Sequence, residues 1–87
     1  MASYRVEWKP STKKDLRKIT QDQVVRIVEA VAALGTEPRP VGSQKLQGTD
    51  HAYRIRIGDY RAVDTVSDRL QTVTVIRVRH RKDSYRA

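Results

Sequence analysis

The feature that most constrains this chain is its second half, where three runs of alternating apolar and polar residues follow one another closely. The runs span residues 53–57, 60–66 and 70–78, and only residues 58–59 and 67–69 lie between them. Alternation with a period of two is typical of a strand that buries one face. Connections of two or three residues join only antiparallel neighbours. The sequence therefore predicts a three-stranded antiparallel meander.

The first half predicts one more strand and a short helix. Residues 4–8 alternate, which places Tyr4, Val6 and Trp8 on the inner side of a strand. The strand stops at Pro10. Ser11 is expected to cap a short helix that runs to Ile19.

A second, longer helix is predicted from Thr20 to Leu34. Thr20 and Gln23 have the T-x-x-Q spacing of a capping box, and Gly35 is expected to end the helix in a left-handed conformation. Apolar residues recur at steps of three and four, as one buried stripe requires: Val24, Ile27, Val28, Val31 and Leu34. Residues 36–50 are expected to form a loop that Leu46 anchors.

These elements predict an α+β fold in which the order is a strand, a two-helix hairpin and the meander. The strands are expected to form one antiparallel sheet, and the helices are expected to cover one face of it. The 87 residues are expected to make one domain, 1–87. Neither a signal segment nor a membrane span is apparent, and the absence of cysteine favours a reducing, cytoplasmic location. A net charge of +8 indicates a partner rich in phosphate or acidic groups.

Basic and phenolic residues are the candidates for chemistry. Arg54 and Arg56 share one strand face by the period-two rule, and Arg61 begins the next strand within reach of them. Arg81 and Tyr85 follow the last strand, and a phenol among guanidiniums can stack on an unpaired base. The alternatives are an ordinary polar outer face for the arginines and a hydrophobic lid for Tyr85.

Other chemistries have little support in the sequence. His51 and His80 have no acidic neighbours at metal-ligand spacing, so neither a metal nor another cofactor is expected. The acidic residues show no paired arrangement for acid–base catalysis, and no glycine-rich phosphate loop is present.

Three segments taken in order, KLQG, YRIRIGDYRAVD and VIRVRHRKDSYR, make the chain resemble the RelE/ParE toxin superfamily, on the RelE side. The resemblance covers essentially the whole chain. It implies a microbial-RNase-like fold and a toxin of a type II toxin–antitoxin pair, a metal-independent endoribonuclease that cleaves messenger RNA in the ribosomal A site. The reaction would be attack of a ribose 2′-hydroxyl on its own 3′-phosphate, which would stop translation.

The resemblance also implies roles for individual residues. The catalytic group would be Arg54, Arg56, Arg61, Arg81 and Tyr85, and the substrate-binding group would be Lys45, Arg79, His80, Lys82 and Arg86. Relatives often carry lysine where this chain has Arg54 and Arg56. A guanidinium stays protonated and accepts protons poorly, so the general base is unassigned. His80 is the nearby group of suitable basicity, although it could equally pack beside the strand end.

The implied partners are a cognate RelB-like antitoxin with an acidic or amphipathic segment, and the messenger and ribosomal RNA of the 70S ribosome. Promoter DNA would be bound only by the toxin–antitoxin complex, and no membrane is involved. Three alternatives stay open: a ParE-like poison of DNA gyrase, a non-catalytic RNA- or ribosome-binding module, and an inactive member of the superfamily.

Overall fold

A computed structural model of the protein describes residues 3–82, in which a five-stranded sheet carries two helices on one face. Tyr85 and Arg86 lie outside the described residues. The elements in chain order are β1 Arg5–Trp8, α1 Ser11–Arg17, α2 Gln21–Ala33, β2 Gln44–Lys45, β3 Ala52–Ile57, β4 Tyr60–Ser67 and β5 Thr72–His80. The predicted α+β fold with helices on one face of a single sheet is confirmed.

The strand order is β1-β5-β4-β3-β2. β3, β4 and β5 form the predicted meander, and Gly58 adopts φ +60° in its first turn. The expectation of a wholly antiparallel sheet is wrong, because β1 pairs with β5 in parallel. Short turns fix only the strands that they join, whereas two helices separate β1 from the meander and leave its partner open. The expected loop 36–50 also contains β2, which pairs with β3.

The core lies between the helices and the sheet. Its buried members come from α2, its C-terminal cap and the three meander strands: Ile27, Val31, Leu34, Ile55, Ala62, Val66, Val73, Val75 and Val78. The inward side of β1 is confirmed, since Tyr4, Val6 and Trp8 pack against this core. Val28, predicted to belong to the buried stripe, is instead 42% exposed. It lies at the margin of the stripe, where the helix surface turns away from the sheet.

Two expectations about how the helices begin are wrong in detail. Ser11 does not cap α1, because the preceding Pro10 is already in a helical conformation and Ser11 is the first residue of the helix. Thr20 does occupy the N-cap position of α2, yet neither it nor Gln23 makes a side-chain capping bond. The Gln23 Oε1 lies beside Gly58 instead.

Gly35 was expected to end the helix in a left-handed conformation, but the structure gives another reason for glycine at this position. It is not left-handed, but a Cβ there would lie 3.1 Å from the carbonyl oxygen of Tyr4 and 3.3 Å from that of Ala32. The carbonyl of Gly35 accepts a 2.7 Å hydrogen bond from the Tyr4 amide. Glycine therefore permits the close approach of the helix end to the start of the first strand.

β5 contains a bulge that decides where its arginines point. Asp64 pairs with Val75 and Val63 pairs with Arg77, so Ile76 is the extra residue. Beyond the bulge, Arg79 is the partner of Arg61 across the sheet. Directly paired residues share a face, so β5 adds two arginine positions to the face that the helices leave open.

Within residues 3–82, neither helix has the length and apolar character needed to cross a membrane.

Candidate functional site

The uncovered side of the sheet, here called the open face, carries a small cavity walled by guanidiniums. Arg54 and Arg56 come from β3 and Arg61 from β4, and the Cα atoms of Arg56 and Arg61 are direct cross-strand partners. Gly42 and Gln44 complete the lining of a cavity of about 210 Å³. We call these five residues the arginine pocket. The structure thus brings together the two arginines that alternation placed on one face and the third that the short turn was expected to bring within reach.

Two of these guanidiniums are held by neutral acceptors. Nη2 of Arg54 donates to Oε1 of Gln44 at 2.6 Å, and Nε of Arg56 donates to the carbonyl oxygen of Gly58 at 3.2 Å. Each of these bonds fixes a side chain while leaving further N–H donors on the fork. Planar guanidiniums gathered in this way are suited to a phosphate group, whose oxygens accept two parallel hydrogen bonds.

The basic residues at the end of β5 are arranged differently. The backbone amide of Arg81 donates to the carbonyl oxygen of Asp59 at 2.7 Å, and its Nε lies 3.9 Å from the carboxylate of Asp59. Arg81 is therefore tied to the β3–β4 turn, beside the strand end that carries Arg61. Lys82 is exposed, and its amide donates to Nδ1 of His80 at 3.2 Å.

His80 is not brought to the arginine pocket. It pairs with Tyr60 across the sheet, on the side that the helices cover, and the two rings meet edge to face at 5.2 Å. Both line a second cavity of about 220 Å³, together with Arg79 and residues of α1 and its C-terminal end. The geometry favours the packing alternative for His80 over a role as base in the arginine pocket.

Lys45 also lies apart from the arginine pocket. It pairs with Tyr53, whereas its neighbour Gln44 pairs with Arg54, so Lys45 faces the other side of the sheet. Its side chain is about half exposed, and its Nζ lies 3.9 Å from Asp50. The candidates from the sequence therefore divide between the two sides of the sheet.

Sequence reasoning missed a cluster at the opposite end of the sheet, formed by Tyr4, Arg39, Tyr53 and Asp68. Arg39 donates to both carboxylate oxygens of Asp68, at 3.1 and 3.0 Å, and to the hydroxyl of Tyr53 at 2.9 Å. Tyr4 donates to Asp68 at 2.6 Å. We call these four residues the Arg39 cluster.

The electrostatics of the Arg39 cluster follow from these bonds. The hydrogen bonds from Arg39 and then Tyr4 lower the pKa of Asp68, and the bond to Asp68 raises the pKa of Tyr4. Arg39 has its own pKa raised, chiefly by Asp68. The cluster ties the segment after α2 to the sheet, and that segment leads into Gly42 and Gln44 of the arginine pocket.

Asp64 is a second feature that sequence reasoning missed. It lies on the covered side of β4, is 1% exposed, and neither carboxylate oxygen has a hydrogen-bond partner among residues 3–82. Burial raises the pKa of Asp64 to about 6, against the opposing effects of its own backbone amide and the charge of Arg39. The signal was present, because Ala62, Asp64 and Val66 alternate along one strand.

A third cavity lies between α2 and the edge of β3. It measures about 460 Å³ and is mostly apolar, with Ala33, Leu34, Pro40 and Ile57 among its lining residues. Because Gly42 and Arg56 also line it, this groove adjoins the arginine pocket.

Comparison with known proteins gives the class to which this arrangement belongs. Residues 6–85 match the family described as the ParE toxin of the type II toxin–antitoxin system, parDE. Toxin RelG of Mycobacterium tuberculosis is 32% identical over 84 residues, which cover 95% of this chain and 97% of that protein. The chain therefore belongs to the RelE/ParE superfamily of toxins from type II toxin–antitoxin systems.

Solved structures agree with this assignment. The archaeal RelE–RelB complex from Pyrococcus horikoshii OT3 matches with a TM-score of 0.82 and 29% identity, over 98% of this chain and 99% of that one. The RelBE2 toxin–antitoxin complex of M. tuberculosis matches with a TM-score of 0.78 and 28% identity, over 90% and 98%. The isolated Escherichia coli RelE toxin matches with a TM-score of 0.77 and 25% identity, over 90% and 84%.

Proposed function

We propose that this toxin is a ribosome-dependent endoribonuclease that cleaves messenger RNA in the ribosomal A site. The observation that carries the proposal is the arginine pocket, which gathers Arg54, Arg56 and Arg61 around a cavity of about 210 Å³. The likeness to RelE toxins supports the same reading.

The proposed reaction is in-line attack of a ribose 2′-hydroxyl on the adjacent 3′-phosphate. The P–O bond to the 5′ oxygen of the next nucleotide breaks, which leaves a 2′,3′-cyclic phosphate and a free 5′-hydroxyl. Negative charge accumulates on the phosphorane oxygens in the transition state, so fixed N–H donors bind it more strongly than the ground state. The arginine pocket supplies those donors, and the mechanism uses no metal ion.

Proton transfer falls to groups other than the three arginines, because guanidiniums remain protonated. Tyr85 is our candidate for stacking the base and orienting the 2′-hydroxyl, and Arg81 for adding charge near the leaving group. The ribosome would hold the message in line, and such orientation is worth several kcal/mol. In this proposal the toxin stabilises charge and the ribosome orients the message. A pocket without a strong base would therefore need the ribosome for efficient cleavage.

We also propose that a cognate RelB-like antitoxin neutralises the toxin. The similar structures from P. horikoshii and M. tuberculosis are complexes of RelE-type toxins with their antitoxins. An acidic or amphipathic segment could lie in the apolar groove beside α2 and reach Arg56, which lines both the groove and the arginine pocket. Promoter DNA would be bound by the complex alone.

Primer extension on a defined message held in a translating 70S ribosome tests the proposed activity. We expect cuts within the A-site codon from the wild-type chain and none from Arg81→Ala. Uncut message at protein concentrations that saturate the ribosome would overturn the proposal.

A ParE-like action on DNA gyrase is the second candidate, favoured by the description of the matching family. It predicts inhibition of gyrase supercoiling by the purified chain, with message left intact on the ribosome. A supercoiling assay run beside the primer extension separates the two functions.

A further inference from the structure

The outer edge of β5 changes partner halfway along the strand. β1 pairs with Thr72 to Val75 and ends there, so within residues 3–82 the later part of β5 has no strand on that side. α1 packs against this stretch, and Asp15 takes the place of the missing strand. Its Oδ2 accepts the backbone N–H of Val78 at 3.1 Å.

The second oxygen of Asp15 binds an arginine of the candidate site. Nη1 of Arg79 donates to Oδ1 of Asp15 and also to the carbonyl oxygen of Val78, the latter at 3.1 Å. The Asp15 side chain is 13% exposed and that of Arg79 is 42% exposed. One carboxylate therefore caps the strand edge and holds a guanidinium against it.

The backbone position of Arg79 directs its side chain toward the open face and not toward Asp15. Its Cα is paired with that of Arg61, so the residue starts from the open face beside the arginine pocket. Its side chain nevertheless lines the second cavity with Asp15, Lys18 and His80. The guanidinium has been drawn over the edge of the sheet, away from the face on which its backbone lies.

Charge explains this arrangement. Arg61 already faces Arg56 on one side, and Arg79 is its partner on the other. Like charges at directly opposed positions of a sheet repel each other, so a third guanidinium beside Arg61 is disfavoured. Asp15 offers Arg79 an opposite charge instead. A phosphate group on the open face would instead favour Arg79 beside Arg61, because its oxygens can accept hydrogen bonds from both guanidiniums at once.

We propose that Arg79 is a two-position side chain: Asp15 holds it at the edge of β5 in the free toxin, and single-stranded RNA bound at the arginine pocket draws it onto the open face. Asp15 is then a positioning residue that lowers the affinity for RNA, since binding must first break the ion pair. This regulation rests on the proposed function for its choice of RNA as the ligand.

The test is a double-mutant cycle read by fluorescence anisotropy, with a labelled single-stranded RNA 12-mer as the probe. Asp15→Asn removes the charge but keeps an oxygen to accept the Val78 amide. Glu29→Gln, at an exposed position of α2, is the matched control because it changes the net charge by the same amount. The four chains needed for the cycle are wild type, Asp15→Asn, Arg79→Ala and the double variant.

We expect Asp15→Asn to bind the RNA about two- to fivefold more tightly than Glu29→Gln, the range that a partly exposed ion pair allows. In the Arg79→Ala background, Asp15→Asn should give no gain beyond that of Glu29→Gln. Loss of Arg79 should also reduce the slope of log affinity against log salt by about 0.7, as one lost phosphate contact to a single strand predicts. Equal affinities for Asp15→Asn and Glu29→Gln, or a gain that persists without Arg79, would overturn the proposal.

A second measurement does not depend on how well the variants fold. The side-chain Nε–Hε NMR signal of Arg79 in the wild-type chain should shift when the RNA saturates it, and the Val78 amide signal should remain. An unmoved Arg79 signal at saturation contradicts the two-position account while leaving cleavage intact. A chain that neither binds the RNA nor cuts messages on ribosomes contradicts both this account and the proposed function.

Discussion

At one end of the sheet Arg39 meets a carboxylate and two phenols, whereas at the other end Arg54 and Arg56 donate to neutral oxygens. Arg39 uses its whole fork on Asp68 and Tyr53. Arg54 and Arg56 bind the side chain of Gln44 and a backbone carbonyl. Guanidinium charge balanced by carboxylate contributes to the fold, while charge left facing neutral groups remains available to an anionic ligand.

The two ends are also connected. The segment after α2 passes from Arg39 to Gly42 and Gln44, so the balanced cluster holds one wall of the arginine pocket. This arrangement separates the residues that fix the pocket from those that bind within it. Substitutions at the two ends should therefore affect different quantities.

Among substitutions within the arginine pocket and the Arg39 cluster, the largest effect is expected from replacing both Arg54 and Arg56 by alanine. Removing preorganised donors from a developing oxyanion typically costs about 10²–10³ in rate for each donor lost. We expect the double variant to lose at least about a hundredfold in ribosome-dependent cleavage, measured as a single-turnover rate.

The same double variant should fold normally, because both side chains bond at the exposed surface. Its free energy of unfolding should change by no more than about 1 kcal/mol. Arg5→Ala together with Arg17→Ala, at exposed positions of β1 and α1, removes the same two charges and should cleave like the wild type. A comparable loss in this control would mean that net charge, and not the pocket, governs activity.

Asp64→Asn should stabilise the fold at neutral pH. The folded-state pKa of about 6 exceeds the ordinary value of 3.8, so the folded chain binds more protons than the unfolded chain between about pH 4 and pH 6. Stability from this group is thus present at low pH and lost as the pH rises through that window. The cost at pH 7 is about 3 kcal/mol by linkage.

Urea unfolding of wild type and Asp64→Asn at several pH values measures this cost. The difference in unfolding free energy should grow from pH 4 to about pH 6.5 in favour of Asp64→Asn and then level off. Using the difference removes the opposite contribution of Asp68, whose pKa Arg39 lowers. A difference that does not depend on pH would show that burial does not raise the pKa of Asp64 in the folded chain.

Arg39→Ala should lower the free energy of unfolding by about 1 kcal/mol. The variant loses a two-pronged ion pair and the bond to Tyr53, but the side chains of Arg39 and Asp68 are 34% and 62% exposed, so solvent screens much of the charge interaction. Chemical denaturation measures the loss. Arg39→Lys, which keeps the charge without the fork, should recover only part of it.

Cleavage by Arg39→Ala should fall by only a few-fold, through looser placement of Gly42 and Gln44. A loss as large as that from the arginine pocket would erase the distinction between the two ends of the sheet.

The smallest effect is expected from Tyr4→Phe, which removes one exposed hydrogen bond to Asp68. We expect only a slight decrease in the free energy of unfolding, smaller than that of Arg39→Ala. The pKa of Asp68, followed by NMR titration, should rise toward its ordinary value because one of its two charge-stabilising donors is gone. An unchanged pKa of Asp68 in Tyr4→Phe would show that Tyr4 does not stabilise the charged carboxylate.

The meander and the arginine pocket could be predicted because both depend on short-range regularities. Alternation assigns a face to Arg54 and Arg56, and a two-residue turn brings Arg61 back beside them. The parallel pairing of β1 and the close approach at Gly35 depend on segments that are distant in sequence, and no local pattern encodes such contacts. β2 has only two residues, which is too few to show an alternating pattern.

The missed polar residues divide in the same way. Asp64 could have been found, since the alternation that buries Ala62 and Val66 buries it too. Asp15 and Arg39 could not, because their partners are 63 or 64 residues away for Asp15 and as many as 29 for Arg39. The roles inferred for Lys45, Arg81 and Tyr85 remain predictions of the resemblance.

The measurement that tests the central claim most directly is the single-turnover cleavage rate of Arg61→Ala on a programmed 70S ribosome, at toxin concentrations that saturate binding. If the arginine pocket stabilises the transition state, the A-site cut should slow by about a hundredfold or more while ribosome binding is unchanged. A wild-type cleavage rate in Arg61→Ala would contradict the account and leave the open face as a binding surface alone.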